Sequence, residues 1–164
     1  LLMTKRVSMK PMNKISFNRR ALTLGLVCLP AISFAMADKP VIEMWKSPTC
    51  GCCTDWANHL EQNGFVVKAY TVGHDAMRKK LGMPAAFTSC HTALIGGYTI
   101  EGHVPASEIK KILAEKPMAI GLAVPAMPVG SPGMNGPEYG GRKDPYDVLL
   151  ISISGKPSVY QSYR

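Results

Sequence analysis

The sequence predicts an α/β fold: a mixed sheet flanked by helices, extended at its C-terminal end by an irregular arm and a further β-hairpin. Three observations carry that expectation. Short apolar runs of strand length alternate with amphipathic helical patterns, in the order β-α-β-α-β-β-α, over residues 38–117. Gly96-Gly97 separates two strand-like runs, as in a two-residue hairpin turn. Residues 118–144 then hold so much proline and glycine that regular structure is not expected there.

Each element has its own local signal. Pro40 to Lys46 carries Val41, Ile42, Met44 and Trp45 and reads as a buried strand. Ser47-Pro48-Thr49 breaks it, with Thr49 placed to cap the helix that follows. From Cys50 to Asn63, apolar groups recur at Cys53, Trp56, Ala57 and Leu60, and Gly64 stops the pattern. Phe65 to Val72 is a second strand, and Asp75 to Leu81 a short helix closed by Gly82. Pro84 opens a loop before the hairpin of Thr92–Ile95 and Tyr98–Glu101. Pro105 to Glu115 is an amphipathic helix ended by Lys116-Pro117. The stretch from Gly121 to Pro137 is apolar and nearly uncharged, unlike a disordered linker, so it reads as an ordered arm lying on the domain. Tyr146–Ile153 and Ser158–Tyr163 flank Ser154-Gly155-Lys156-Pro157 as a last hairpin. A strand, helix and second strand imply a parallel pair with a right-handed crossover. With Cys50-x-x-Cys53 directly after the first strand, the whole order is that of a thioredoxin-like fold. No internal repeat is visible.

The net charge of +8 on 164 residues suggests a nucleic-acid footprint until it is located. Lys5, Arg6, Lys10, Lys14, Arg19 and Arg20 all lie within residues 1–37, which hold no acidic residue. Without them, 13 basic residues face 11 acidic ones, so nucleic acid is excluded as the expected partner. Residues 1–37 instead read as a signal peptide: a basic stretch, the apolar run Ala21–Ile32 and Ala35-Met36-Ala37 as cleavage site. The run is too short and interrupted to span a membrane, so no stable membrane insertion is expected once the signal is removed. Arg19-Arg20 raises twin-arginine export beside the general route, and Cys28 leaves with the signal. Because the chain opens on Leu1, translation is expected to start at Met9 or Met12. The plan is therefore 1–37 signal peptide, 38–117 thioredoxin-like domain, and 118–164 arm and hairpin packed on that domain. The expected compartment is an oxidising one outside the cytosol.

Chemistry concentrates in Cys50-Gly51-Cys52-Cys53, where a strand feeds a helix. The N–H groups and dipole at a helix N-terminus favour thiolates, which are both nucleophiles and soft-metal ligands. Four cysteines remain after the signal, and an even number outside the cytosol normally means disulfides. Their crowding argues against two independent staples. Counting back from Gly96-Gly97, Ile95 faces Tyr98, Ala93 faces Ile100 and Cys90 faces His103, while His91 points the other way. In a thioredoxin-type arrangement Cys90 also stands opposite the helix cysteines, so four sulfurs and one imidazole converge. The alternatives are a buried structural thiol at Cys90 and a surface residue at His103. His91 reads as structural or as a support for ligands, and His59 and His74 as solvated. Met127 and Met134, seven apart in the arm, are either core plugs or thioether ligands of Cu(I). Adjacent Cys52 and Cys53 suit bridging soft ions better than wrapping one zinc ion.

These residues resemble a family, the CopG-like copper-resistance proteins exported by Gram-negative bacteria. The matching segments are Lys46–Cys53, Ser89-Cys90-His91-Thr92, Gly96-Gly97-Tyr98, Glu101–Pro105, and Gly121–Pro125 through Gly133-Met134. The resemblance implies a thioredoxin-like core whose Cys50, Cys52, Cys53 and Cys90 hold copper, singly or as a multinuclear cluster. It further implies sequestration of copper, or interconversion of Cu(I) and Cu(II), beside other periplasmic copper-efflux components. Asn135 departs from the family pattern, which often has an acidic residue there. The site expectation is thus Cys50, Cys52, Cys53, Cys90, His103, Met127 and Met134 around copper. The alternative is a thiol-disulfide oxidoreductase with Cys50 as nucleophile and Cys53 as resolving thiol, and a third reading is a structural zinc module.

Overall fold

A computed structural model describes residues 38–164. The expected signal segment, its cleavage point near Ala37, and Cys28 lie outside the described residues. The elements are β1 (Val41–Lys46), α1 (Gly51–Gln62), β2 (Val66–Tyr70), α2 (Asp75–Lys80), β3 (His91–Ile95) and β4 (Tyr98–Glu101). They continue as α3 (Ala106–Glu115), β5 (Ala119–Ala123), β6 (Tyr146–Ser152) and β7 (Pro157–Tyr163). All strands join one seven-stranded mixed sheet in the order β2-β1-β3-β4-β5-β6-β7. The β1–β2 and β4–β5 pairs are parallel and the other four antiparallel. The expected mixed α/β sheet with flanking helices is what the chain forms.

Hydrophobic periodicity explains how the layers meet. In β1, Ile42, Met44 and Lys46 alternate inward. In α1, Cys53, Trp56 and Leu60 share one stripe, and in α3 Ala106, Ile109 and Ile112 do the same. Both helices press these stripes onto one sheet face, with Ala93, Ile95, Ile100, Leu122 and Val148 beneath. Each fully buried large side chain there stabilises the fold by about 1.5–3 kcal/mol. Trp56 also donates its indole N–H to the Val104 carbonyl at 2.8 Å, which ties α1 to the chain entering α3. A smaller cluster of Met83, Ala123 and Ile151 covers the opposite face.

Four local expectations need correction. The arm is not irregular throughout: Ala119–Ala123 forms β5, which bridges β4 to the terminal hairpin and so makes the sheet continuous. Gly121 disguised this strand, yet glycine is required there, because a Cβ would fall on the Thr99 carbonyl oxygen. Thr49 does not cap α1; its hydroxyl lies 3.2 Å from that of Ser47, and Cys50 occupies the cap position without a side-chain bond. His59 is not solvated, since its Nε2 accepts the Ala106 N–H at 3.1 Å and so satisfies one free donor at the start of α3. His74 is also largely covered, with a side chain only 16% exposed.

Candidate metal centre

The turn from β1 into α1 sets the first three sulfurs. Cys50 N–H donates to the Ser47 carbonyl at 3.2 Å, closing the turn, and the helix starts at the next residue. The geometry brings Cys50 and Cys53 within 5.5 Å between Cα atoms, and they form a disulfide. Cys52 and Cys90 are free and half-buried. Cys50 Sγ lies 3.5 Å from Cys52 Sγ; with Cys50 oxidised, the S–H is that of Cys52, which donates. The sulfurs of Cys50, Cys52, Cys53 and Cys90 all lie within 4.8 Å of one another. One disulfide and two thiols in this space agree with the crowding argument against two staples.

The hairpin supplies the fourth sulfur and two rings. The register runs Ile95–Tyr98, Ala93–Ile100 and Thr92–Glu101, unslipped, as expected from the Gly96-Gly97 turn. Carried two steps beyond the ladder, it delivers Cys90 to His103: Sγ to Nε2 is 2.9 Å. His91 is the correction. It does not point away, because its Nδ1 lies 3.3 Å from the same Cys90 sulfur and its ring stacks at a tilt on Trp56, 4.2 Å between centroids. Pleat alternation holds only inside the ladder, and the chain leaves it at Gly102, which has φ +70. A side chain there would meet the Ser89 hydroxyl and the Val124 carbonyl at 2.5 Å, so glycine is obligatory at the point where the chain turns His103 inward.

Burial dominates the electrostatics. His103 is fully buried, and its Nδ1 donates to the Pro132 carbonyl at 2.6 Å. That bond leaves Nε2 with its lone pair facing Cys90. Desolvation lowers the His103 pKa against the opposing pull of Pro132, and lowers that of His91 further, with His103 as the next contributor. Burial, followed by the neighbouring Cys52, pushes the Cys90 thiol up to about 12. His91 Nε2 is buried with no hydrogen-bond partner, an orphan that a ligand or ion could satisfy.

The arm closes the site over α1. Ser89 donates its hydroxyl to the Ala126 carbonyl, Met127 Sδ lies 4.0 Å from Cys52 Sγ, and Pro132 holds His103. Gly133 then rests on the first turns of α1, where a Cβ would come within 2.6 Å of the Cys52 carbonyl and 2.8 Å of the Trp56 nitrogen. Met127 is thus brought to the cysteines, half-exposed. Met134 is not; its sulfur accepts the Tyr139 hydroxyl at 3.3 Å. Asn135 accepts the Gly133 N–H at 3.2 Å and so shapes the turn.

Two residues of the site escaped sequence reasoning, whereas His91 was read as structural or supporting and only its direction was wrong. Glu101, fully buried, accepts the Ser89 N–H at 2.9 Å and the Thr92 hydroxyl at 2.7 Å, which fixes the loop bearing Cys90. Its place opposite Thr92 in the hairpin was the available signal. Lys46 ends β1 beneath the cysteines, its position betrayed by the alternation of Ile42 and Met44. Four sulfurs, one thioether and two neutral imidazoles make a soft donor set that fits a soft metal ion.

The comparisons with known proteins agree with that chemistry. A family described as "Protein of unknown function, DUF411" matches residues 87–134, a span that holds Cys90, His103, Met127 and Met134. No curated protein sequence matches the chain. One solved structure of copper resistance protein CopG, form 2, is 44% identical with a TM-score of 0.70, covering 76% of this chain and 98% of its own. A second, form 1, is also 44% identical, with a TM-score of 0.69 and coverage of 75% and 96%. At that identity and coverage, the chain belongs to the CopG family of copper-resistance proteins.

Proposed function

We propose that this protein is exported to the periplasm, where it binds copper as its cargo in copper resistance. Cu(I) would be held on the sulfurs of Cys50, Cys52, Cys53 and Cys90, with His103 and Met127 beside them; Met134 would join only if its sulfur left the Tyr139 hydroxyl. The observation that carries the reading is the convergence of four cysteine sulfurs within 4.8 Å, with an imidazole lone pair 2.9 Å from one of them. Soft thiolates favour Cu(I) over harder ions. Using all four as thiolates requires the Cys50–Cys53 bond to be opened first by a two-electron reductant. Four sulfurs in contact suit a multinuclear arrangement, and bound copper would supply the Cu(II)/Cu(I) couple, so interconversion of the two states belongs to the same reading. Copper-efflux components of that compartment are the proposed partners. We read the order β2-β1-β3-β4 as a thioredoxin-like core spanning 38–117, with 118–164 added as the arm and hairpin. Competition of the reduced protein against a Cu(I) chelator tests this: retention of copper supports it, and failure to retain any ends it.

A specific observation favours a second reading. The Cys50–Cys53 disulfide at the start of α1 is where a thiol-disulfide oxidoreductase would carry its reactive pair. Against this, Cys52 touches Cys50 and the arm lies across the same helix. Insulin reduction that survives replacement of both Cys52 and Cys90 by Ser would favour the oxidoreductase.

A further inference from the structure

Lys46 is a buried cation without an anion. Only 7% of its surface is exposed, and among the described residues no carboxylate lies within ion-pair distance of it. Its ammonium instead reaches two carbonyls of the cysteine turn, those of Ser47 at 3.3 Å and Cys50 at 3.1 Å. In the β1–β3 ladder it is the direct partner of His91, so both side chains leave the same face of the sheet, at the end where Cys90 meets both rings. An uncompensated buried charge is expensive, and lysine is rarely buried unless paired. The neighbourhood as it stands offers it only neutral backbone carbonyls, and two of the four cysteines are tied in a disulfide.

We propose that Lys46 is the fixed counter-charge of the copper–thiolate site and biases it toward Cu(I) over Cu(II). This rests on the copper-binding reading above. Thiolates in excess over Cu(I) leave a net negative charge, which the ammonium balances. A cation beside the ion opposes Cu(II) more than Cu(I), because the repulsion scales with the charge on the metal. Lys46 is thus a positioning residue acting through charge, and its bonds to the Ser47 and Cys50 carbonyls hold that charge at the cysteine turn. The alternative is a brace for the turn, which any donor of similar length could provide.

The two roles separate on substitution. Lys46→Arg keeps charge and donors, Lys46→Gln keeps donors without charge, and Lys46→Met keeps only bulk. The purified protein, reduced at Cys50–Cys53, is titrated with Cu(I) and with Cu(II) against chelators specific for each, with thermal melting as the fold control. The expected result is that Gln and Met each lower the Cu(I)-to-Cu(II) affinity ratio about tenfold, equivalent to a fall of about 59 mV in the one-electron couple, while Arg stays near wild type. A folded Gln variant with an unchanged ratio would overturn the proposal. So would failure of both neutral variants to fold, which would make Lys46 a brace. Wild-type protein that binds no copper would instead overturn the reading of the site itself, and this proposal with it.

Discussion

Cys90 Sγ lies 2.9 Å from His103 Nε2, while Nδ1 of the same ring donates to the Pro132 carbonyl at 2.6 Å. The arm therefore chooses the tautomer of the histidine that the hairpin supplies, and so determines which nitrogen is free to act as a ligand. Replacing His103 by Ala removes that nitrogen and leaves Cys90 without its partner. Cu(I) affinity is expected to fall about 10- to 100-fold in chelator competition. Met127→Leu, which removes an exposed thioether but keeps the bulk, is expected to have a smaller effect in the same assay.

Gly133 takes φ +83 directly against the backbone of α1. Gly133→Ala must push the arm off Cys52 and Trp56 while straining its own backbone. A loss of about 2–4 kcal/mol is expected from denaturant unfolding. Gly82→Ala is the control: φ is similarly positive at +78 but its Cβ position is open, so only the backbone strain of about 1 kcal/mol is expected.

His59 gives a pH dependence with a definite sign. Its Nε2 accepts the Ala106 N–H, and burial, ahead of the opposing Glu108, lowers its pKa below the ordinary 6.5. Folding therefore favours the neutral ring. That contribution is complete above pH 6.5 and is lost as pH falls through the lower folded value. His91 and His103 act in the same direction, so the test is a difference. Melting temperature should fall more steeply between pH 7 and pH 5 in wild type than in His59→Gln, whose amide oxygen can accept the same N–H without titrating. Parallel curves would remove His59 from the account.

The state of the cysteines is countable. Among the described residues, thiol titration of unfolded, unreduced protein should find Cys52 and Cys90 reactive, and Cys50 and Cys53 only after reduction. Peptide mapping of the alkylated chain reads this directly. A Cys52–Cys90 bridge, or alkylation of all four without reductant, would contradict the structure.

How much of this was legible beforehand depended on how local the cause was. The Cys90–His103 contact followed from counting outward from Gly96-Gly97, because a two-residue turn fixes a register and the strands between are short and regular. The same counting set His91 apart from that contact; His91 keeps the inward face it shares with Lys46 in the β1–β3 ladder, and Cys90 and His103, beyond the hairpin ladder, turn toward it past Gly102. β5 was hidden by composition: Gly121 weakens a strand in isolation and is needed only because the backbone of Thr99 passes so close. For Lys46 and Glu101 spacing gave the positions but not the roles. Each depends on which side chains a tertiary fold leaves without a partner, and no spacing in the sequence records that.

Copper stoichiometry of the reduced protein, measured for the native chain and for Cys90→Ser, tests the central claim most directly. The account predicts several Cu(I) per chain, falling sharply when Cys90 is replaced, because the sulfur that joins the helix cysteines to the hairpin histidines is gone. One ion or none, unchanged in Cys90→Ser, would contradict it, and the Cys50–Cys53 pair would then stand as ordinary dithiol chemistry.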